Sequence, residues 1–334
     1  MFIPEQTGKI EVPPIGDPKS KIAIVGDWTS GYDAQARKPF QGYAGNILER
    51  CLHNAGIIRG EVYMTNLIKE RTAKPYEYFD ERRGTFTERG MYYVHMLQAE
   101  LQETEANIIV ATGDASFAAL CSLGHLSLYR GYLFPSTLLP GRKVIPTMSP
   151  GKALRGMYTY QYLIAADLRK AKEESSFPDL IRPERKLVYS HDSVSDALDW
   201  LDHYKEQSIV GFDIEVLNYE VSCISFSSDP NLACVIPVAE RWTVDEELMI
   251  WRGIQGVLGN EKSVKVIQNS MFDVPFLLTR AGVVTRGIIH DTMIGHSILY
   301  PELNKSLGFL GSIYCGAQEY WKDTVKFKSI KEED

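Results

Sequence analysis

Asp213 and Glu215 close the run Ile-Val-Gly-Phe-Asp-Ile-Glu at 209–215, a β-branched, apolar stretch that predicts a buried strand. Side chains two residues apart on a strand leave the same face, so the two carboxylates project together. Like charges held side by side repel, and each is driven toward its protonated form unless a cation lies between them. Oxygen donors on a rigid strand suit a hard divalent ion such as Mg²⁺ or Mn²⁺. The same pair also reads as a strand running out into a solvated acidic loop. Asp-x-Glu alone does not separate the two.

A second stretch does. Residues 264–273, Val-Lys-Val-Ile-Gln-Asn-Ser-Met-Phe-Asp, read as a strand passing into a helix. Asn269 and Asp273 stand four apart, a spacing that stacks one near the other in a first helical turn. Asp273 can then supply a third carboxylate, with Asn269 as a hydrogen-bonding support or DNA contact. On these residues the region resembles the proofreading 3′–5′ exonuclease domain of A-family DNA polymerases, part of the DEDD exonuclease superfamily. Asp213 and Glu215 stand at its first motif, Asn269 and Asp273 at its second. Cys223-Ile-Ser-Phe-Ser and Val235-Ile-Pro match the hairpin strands after the first motif. His290-Asp291-Thr292-Met293, Leu299 and Lys305-Ser-Leu-Gly-Phe-Leu match the helices after the second. The resemblance covers residues 186–325. It implies two divalent ions, Mg²⁺ or Mn²⁺, about 4 Å apart on Asp213, Glu215 and Asp273, one forming the attacking hydroxide and one stabilising the leaving 3′ oxygen. Asn269 and Phe272 would position the strand end.

The chain has 334 residues, room for two domains, with 44% hydrophobic and 24% charged content, as in soluble globular proteins. No apolar run approaches the roughly 18 residues that span a bilayer, and the N-terminus lacks an export pattern. Five cysteines without a C-x-x-C read as reduced thiols of a cytoplasmic protein. The net charge of −7 is uneven. Residues 1–176 carry 21 Lys+Arg against 19 Asp+Glu, the rest 15 against 24. An acidic second half argues against a general DNA-coating protein and fits carboxylates that need cations before a phosphate approaches.

Residues 1–20 are Pro/Gly-rich and predict an extended lead-in. Strands are predicted at Lys21–Asp27, Glu61–Ile68, Asn107–Gly113 and Lys143–Thr147. Helices are predicted at Ala44–Ala55, Phe86–Glu103, Asp114–Leu123 and Tyr158–Glu174. The alternation implies a parallel sheet covered on both faces, with ligands bound beyond the carboxyl ends of its strands. Asp27, Asn66, Gly113 and Ser149 then share one rim. This region, about residues 20–172, resembles the uracil-DNA glycosylase superfamily, closest to its family 4. Gly26-Asp27 stands at the Gly-Glu motif, and Lys38-Pro39-Phe40 with Gly42 and Ala44-Gly45 at the segment whose Phe stacks on flipped uracil. Thr65-Asn66 stands at the base-reading Asn, Arg130-Gly131 at a recurrent turn, and Thr147-Met148-Ser149-Pro150 at the His-Pro-Ser loop. The resemblance implies a pocket of Asp27, Phe40, Asn66 and Ser149 for an extruded base.

The departures are chemical. Trp28-Thr29-Ser30-Gly31 replaces Ala-Pro-Gly, and Ser149 replaces a His that could support a developing uracil anion. Family 4 carries an iron–sulfur cluster on four cysteines. Here those positions fall on Glu70 and around Met91–Tyr92, which implies no cluster. The departures together imply a base- or strand-binding module, or a purely structural one, rather than a domain that excises. Basic residues gather at the rim: Lys69, Arg71, Lys74, Arg82 and Arg83 on one side, Arg142, Lys143, Lys152 and Arg155 on the other. Tyr76, Tyr78, Phe79 and Phe86 interleave the first set, a mixture suited to single-stranded DNA, or equally a solvated loop.

Residues 176–185, with two prolines, form the boundary. Beyond it a strand at Leu187–Ser190, a helix at Ser193–Glu206 capped by Ser193, the Asp213 strand, strands at Glu220–Ser227 and Leu232–Val238, and a helix at Thr243–Leu258 give an RNase H-like mixed sheet. His290 and His296 flank Asp291; the resemblance makes Asp291 structural, and the histidines read as packing groups rather than zinc ligands. The expectation is therefore an α/β chain of two domains: a three-layer α/β/α glycosylase-like unit at 21–175 and an RNase H-like exonuclease unit at 186–334. The exonuclease family also needs a third motif, Tyr-x-x-x-Asp. Tyr320-Trp-Lys-Asp323 has one residue too few between its ends and lies too early, so the second domain is expected to be incomplete. The chain thus reads as the N-terminal part of a phage-type DNA polymerase, with DNA and the rest of the polymerase as partners and no membrane. Alternatives are a non-catalytic nucleic-acid- or partner-binding protein, and uracil excision by the first domain.

Overall fold

The computed structural model describes residues 11–155, 157–190, 192–239 and 241–316. The chain forms two compact units, one of residues up to Arg182 together with those from Gly308 onward, the other of Pro183–Leu307.

The first unit is built on β1 (Ile22–Thr29), whose opening residues Ile22–Val25 are buried without alternation, as a strand covered on both faces requires. After it come α1 (Gly31–Ala36), α2 (Gly42–Asn54), β2 (Tyr63–Arg71), a short hairpin of β3 (Phe79–Asp80) and β4 (Thr85–Phe86), and α3 (Glu88–Gln102). Then follow β5 (Ile108–Thr112), α4 (Asp114–Cys121), α5 (Leu126–Tyr129), β6 (Phe134–Pro135), β7 (Lys143–Pro146), α6 (Pro150–Leu154) and α7 (Tyr160–Glu174). The sheet order is β2-β1-β5-β7-β6. It is parallel except at one edge, where β6 pairs antiparallel with β7. The four expected strands are all parallel, and β6 is an addition, because a two-residue strand ending in proline leaves no periodic signal. Helix α1, opened by a capping box of Ser30 and Asp33, is likewise additional to the expected helices. In α2, Ile47, Leu48, Cys51 and Leu52 form the buried stripe, and α2, α6 and α7 pack together.

The second unit contains β8 (Lys186–Tyr189), α8 (Val194–Lys205), β9 (Ile209–Leu217), β10 (Glu220–Asp229), β11 (Leu232–Pro237), α9 (Val244–Leu258), β12 (Val264–Ile267), α10 (Ser270–Ala281), β13 (Ile289–Asp291) and α11 (Thr292–Leu299). Its sheet order is β13-β12-β9-β10-β11-β8. β10 runs antiparallel to both neighbours, and the other pairs are parallel. Ser193 caps α8 and Thr243 opens α9 with a capping box. Val210, Phe212 and Ile214 of β9 enter the core, which turns Asp213 and Glu215 to the opposite, open face. The last described helix, α12 (Leu307–Tyr314), lies from Gly308 onward in the first unit, whereas the sequence carries the second domain to residue 334.

Candidate active site

Asp213 and Glu215 stand opposite Ser225 and Cys223 of β10, on one side of the sheet. The third carboxylate comes from α10. β12 ends at Ile267, the chain turns through Asn269 at φ +66°, and Asp273 falls in the first helical turn, buried. The amide of Ile214, between the two strand acids, donates to Asp273 Oδ1 at 3.1 Å. Loss of water around Asp213, and then the charges of Asp273 and Glu215, push its carboxyl up to about 6. Burial raises Asp273 too, offset in part by the Ile214 amide.

Asn269 stands at the N-cap position of α10 rather than in its first turn, and its side chain makes no capping bond. The turn is held from elsewhere. Asp291 accepts the amides of Asn269 at 3.2 Å and Ser270 at 2.6 Å on one side, and those of Met293 at 2.8 Å and Ile294 at 3.1 Å on the other. One carboxylate thus serves the starts of two helices, α10 and α11, and these bonds hold it below the usual range. The Asp-Thr sequence before an apolar run was the available signal for this cap. Phe272 is half exposed and stacks on Phe276, centroids 5.7 Å apart.

Three carboxylates are a hard donor set, and their mutual effect on Asp213 shows that they share one region; in chemistry they fit a divalent ion. Among the described residues no three His, Cys, Asp or Glu side chains are grouped closely enough to hold a metal ion as they stand. Tyr320 and Asp323 lie outside the described residues.

At the rim of the first unit, Gly26 pairs with Asn66 and with Thr112, which sets Asp27, Asn66 and Gly113 at one level. A Cβ on Gly26 would lie 2.2 Å from Asn66 Oδ1 and 2.9 Å from the Phe40 ring, so the glycine is what lets that amide and that aromatic meet. Phe40 itself is left-handed at φ 53°. Asp27 turns to the start of α4, accepting from the Ser116 amide at 2.7 Å, and burial pushes its carboxyl up to about 6. Ser149 precedes α6 without a capping bond. Neighbouring Thr147 donates to Asp167 at 2.6 Å.

Several expected phosphate contacts are corrected. Lys69 is buried against Glu100 at 2.6 Å, Lys143 against Glu174 at 3.0 Å, and Arg142 binds the carbonyls of Thr104 and Ala106. Tyr78 and Phe79 are core residues, and Phe86 packs on Phe79. Glu70 is buried between Arg89, at 2.5 Å, and the Tyr78 hydroxyl. A carboxylate so engaged, with no thiol beside it, does not fit an iron–sulfur cluster. Among the described residues no helix is long and apolar enough to cross a membrane.

Residues 13–169 match the Uracil DNA glycosylase superfamily, and residues 190–331 match a 3′-5′ exonuclease family. A type-4 uracil-DNA glycosylase of Thermotoga maritima is 28% identical over 158 residues, 47% of this chain and 79% of that protein. A DNA polymerase of Bacillus phage SP01 is 25% identical over 321 residues, 85% of this chain and 33% of the polymerase. The chain thus spans about a third of that relative. A crystal structure of the Aedes aegypti Nibbler EXO domain, 14% identical, covers 46% of this chain and 80% of its own at a TM-score of 0.35. The first part of the chain is thus similar to the uracil-DNA glycosylase superfamily and the second to 3′-5′ exonucleases, and most of its length is similar to about a third of a phage DNA polymerase.

Proposed function

We propose that the chain is the N-terminal region of a DNA polymerase, whose second unit removes 3′-terminal nucleotides from DNA in a Mg²⁺- or Mn²⁺-dependent reaction. The observation that carries this is the meeting of Asp213 and Glu215, on one face of β9, with Asp273 on α10, tied by the Ile214 amide. These three residues would hold the ion, which supplies an activated water and charge neutralisation at phosphate. Phe272, braced by Phe276, would offer a face to the terminal base, and Asn269 would help to position the strand end. The first unit keeps the Phe40–Asn66 meeting point but has Ser149 in place of a titratable loop residue, which supports strand binding rather than base excision. The remaining polymerase segments would be its partner, in the cytoplasm.

The test is degradation of single-stranded and 3′-recessed oligonucleotides with Mg²⁺ or Mn²⁺. A ladder shortened from the 3′ end by wild type and absent from Asp213→Ala is expected. A ladder unchanged in Asp213→Ala removes the site.

A further inference from the structure

We propose that Tyr32 and Tyr43, with the cations Arg37, Lys38 and Arg71 around them, form a platform on which single-stranded DNA stacks as it reaches the Phe40–Asn66 meeting point. This deepens the strand-binding reading of the first unit and rests on it. Tyr32 is 53% and Tyr43 67% exposed, an unusual outlay of aromatic surface for two residues in edge contact, with centroids 6.0 Å apart.

The pair is held in place by the fold. A Cβ on Gly42, at φ +69°, would lie 2.5 Å from the Tyr32 ring, so the ring lies directly on that backbone. Asp33, buried next to Tyr32, accepts the amides of Ser30 at 2.8 Å and Gln41 at 2.7 Å, closing the loop that carries Arg37, Lys38 and Phe40. Arg59 donates to the Phe40 carbonyl at 2.9 Å from the other side. A rigid aromatic pair loses little entropy when a base settles on it.

The charge is complementary. Arg37 and Lys38 follow α1 directly, and the Arg71 guanidinium lies beside Gly31, 3.6 Å from where its Cβ would be. All three are exposed, and none is in an ion pair among the described residues. Two acids on the same segment are engaged elsewhere, Asp33 with amides and Glu49 with Arg59 at 3.3 Å. Stacking faces beside unneutralised cations suit a strand whose bases are free. A duplex offers its phosphates but keeps its bases to itself.

The experiment is fluorescence anisotropy of a labelled oligo-dT strand with the full chain, in EDTA so that no hydrolysis intervenes. Tyr32→Ala with Tyr43→Ala should weaken binding about tenfold or more, while Tyr32→Phe with Tyr43→Phe keeps the faces and the affinity. Arg71→Gln with Lys38→Gln should flatten the salt dependence of binding, by about 0.7 in log–log slope for each phosphate that is no longer neutralised. Wild-type affinity in the double alanine variant, melting as wild type does, overturns the platform and leaves the strand-binding reading in place. No binding by wild type overturns both, without touching the exonuclease assay.

Discussion

The Ile214 amide donates to Asp273 Oδ1 at 3.1 Å, and Ile214 stands between Asp213 and Glu215. The bond fixes the third carboxylate against the strand that carries the first two. Geometry of this kind cannot be supplied by either element alone, since α10 begins after a left-handed turn with freedom to aim elsewhere.

The pH response of this cluster follows from its charges. Asp213 ionises at about 6 in the folded protein against 3.8 as its ordinary value. Between those values the folded state holds more protons than the unfolded one, so metal-free stability falls as pH rises through the window and levels off above it. Asp213→Asn should remove that part of the decline and melt higher than wild type near neutral pH. Thermal melts of both proteins across the window check it, and parallel curves would contradict it.

Asp291 should act as a positioning residue. Asp291→Ala leaves four amides at two helix starts without their acceptor, at a cost of about 1–2 kcal/mol. Activity should fall mainly in kcat, with Asp291→Asn recovering part of it. A kcat equal to wild type in Asp291→Ala would show that the Asn269 turn does not need this support.

In the first unit Arg130 pairs with Asp167 at 2.5 Å, both buried, and Lys170 donates to the carbonyls of Ser312 and Cys315 at 2.8 and 2.9 Å at the end of α12. Two cations face one carboxylate, and the carbonyl end of α12 offsets the excess. Arg130→Met should destabilise by about 3 kcal/mol, because buried Asp167 loses the cation bonded to it and keeps only the charge of Lys170. Lys170→Met should release α12, read as faster amide exchange over residues 308–316. Unaltered exchange there would mean that apolar contacts hold the helix.

Uracil excision is expected to be absent. Free uracil should not appear from a deoxyuridine-containing strand. Its release by wild type, abolished in Asn66→Ala, would reassign the first unit as an enzyme.

Much of this was legible in the sequence, for physical reasons. The period of a strand told that Asp213 and Glu215 leave one face together, although the apolar run at 209–215 read as a buried strand and one face of β9 is in fact open. The alternation of strands with helices in the first unit told that its sheet is covered on both faces. What stayed hidden depends on partners far along the chain. Lys69 looks like a surface cation until Glu100 meets it, and Lys143 until Glu174 and the Phe177 ring do. The spacing of Asn269 and Asp273 did not tell that Asn269 is the left-handed N-cap of α10 rather than part of its first turn. β6 was invisible because two residues carry no period.

We propose that Asp213, Glu215 and Asp273 hold a divalent ion together. Mn²⁺ titration followed by electron paramagnetic resonance, on wild type, Asp213→Asn and Asp273→Asn, tests it without requiring turnover. Wild-type affinity for Mn²⁺ should weaken as pH falls, because a proton on Asp213 competes with the ion, and both variants should bind weakly at every pH. Mn²⁺ affinity that is the same in all three proteins would contradict the account.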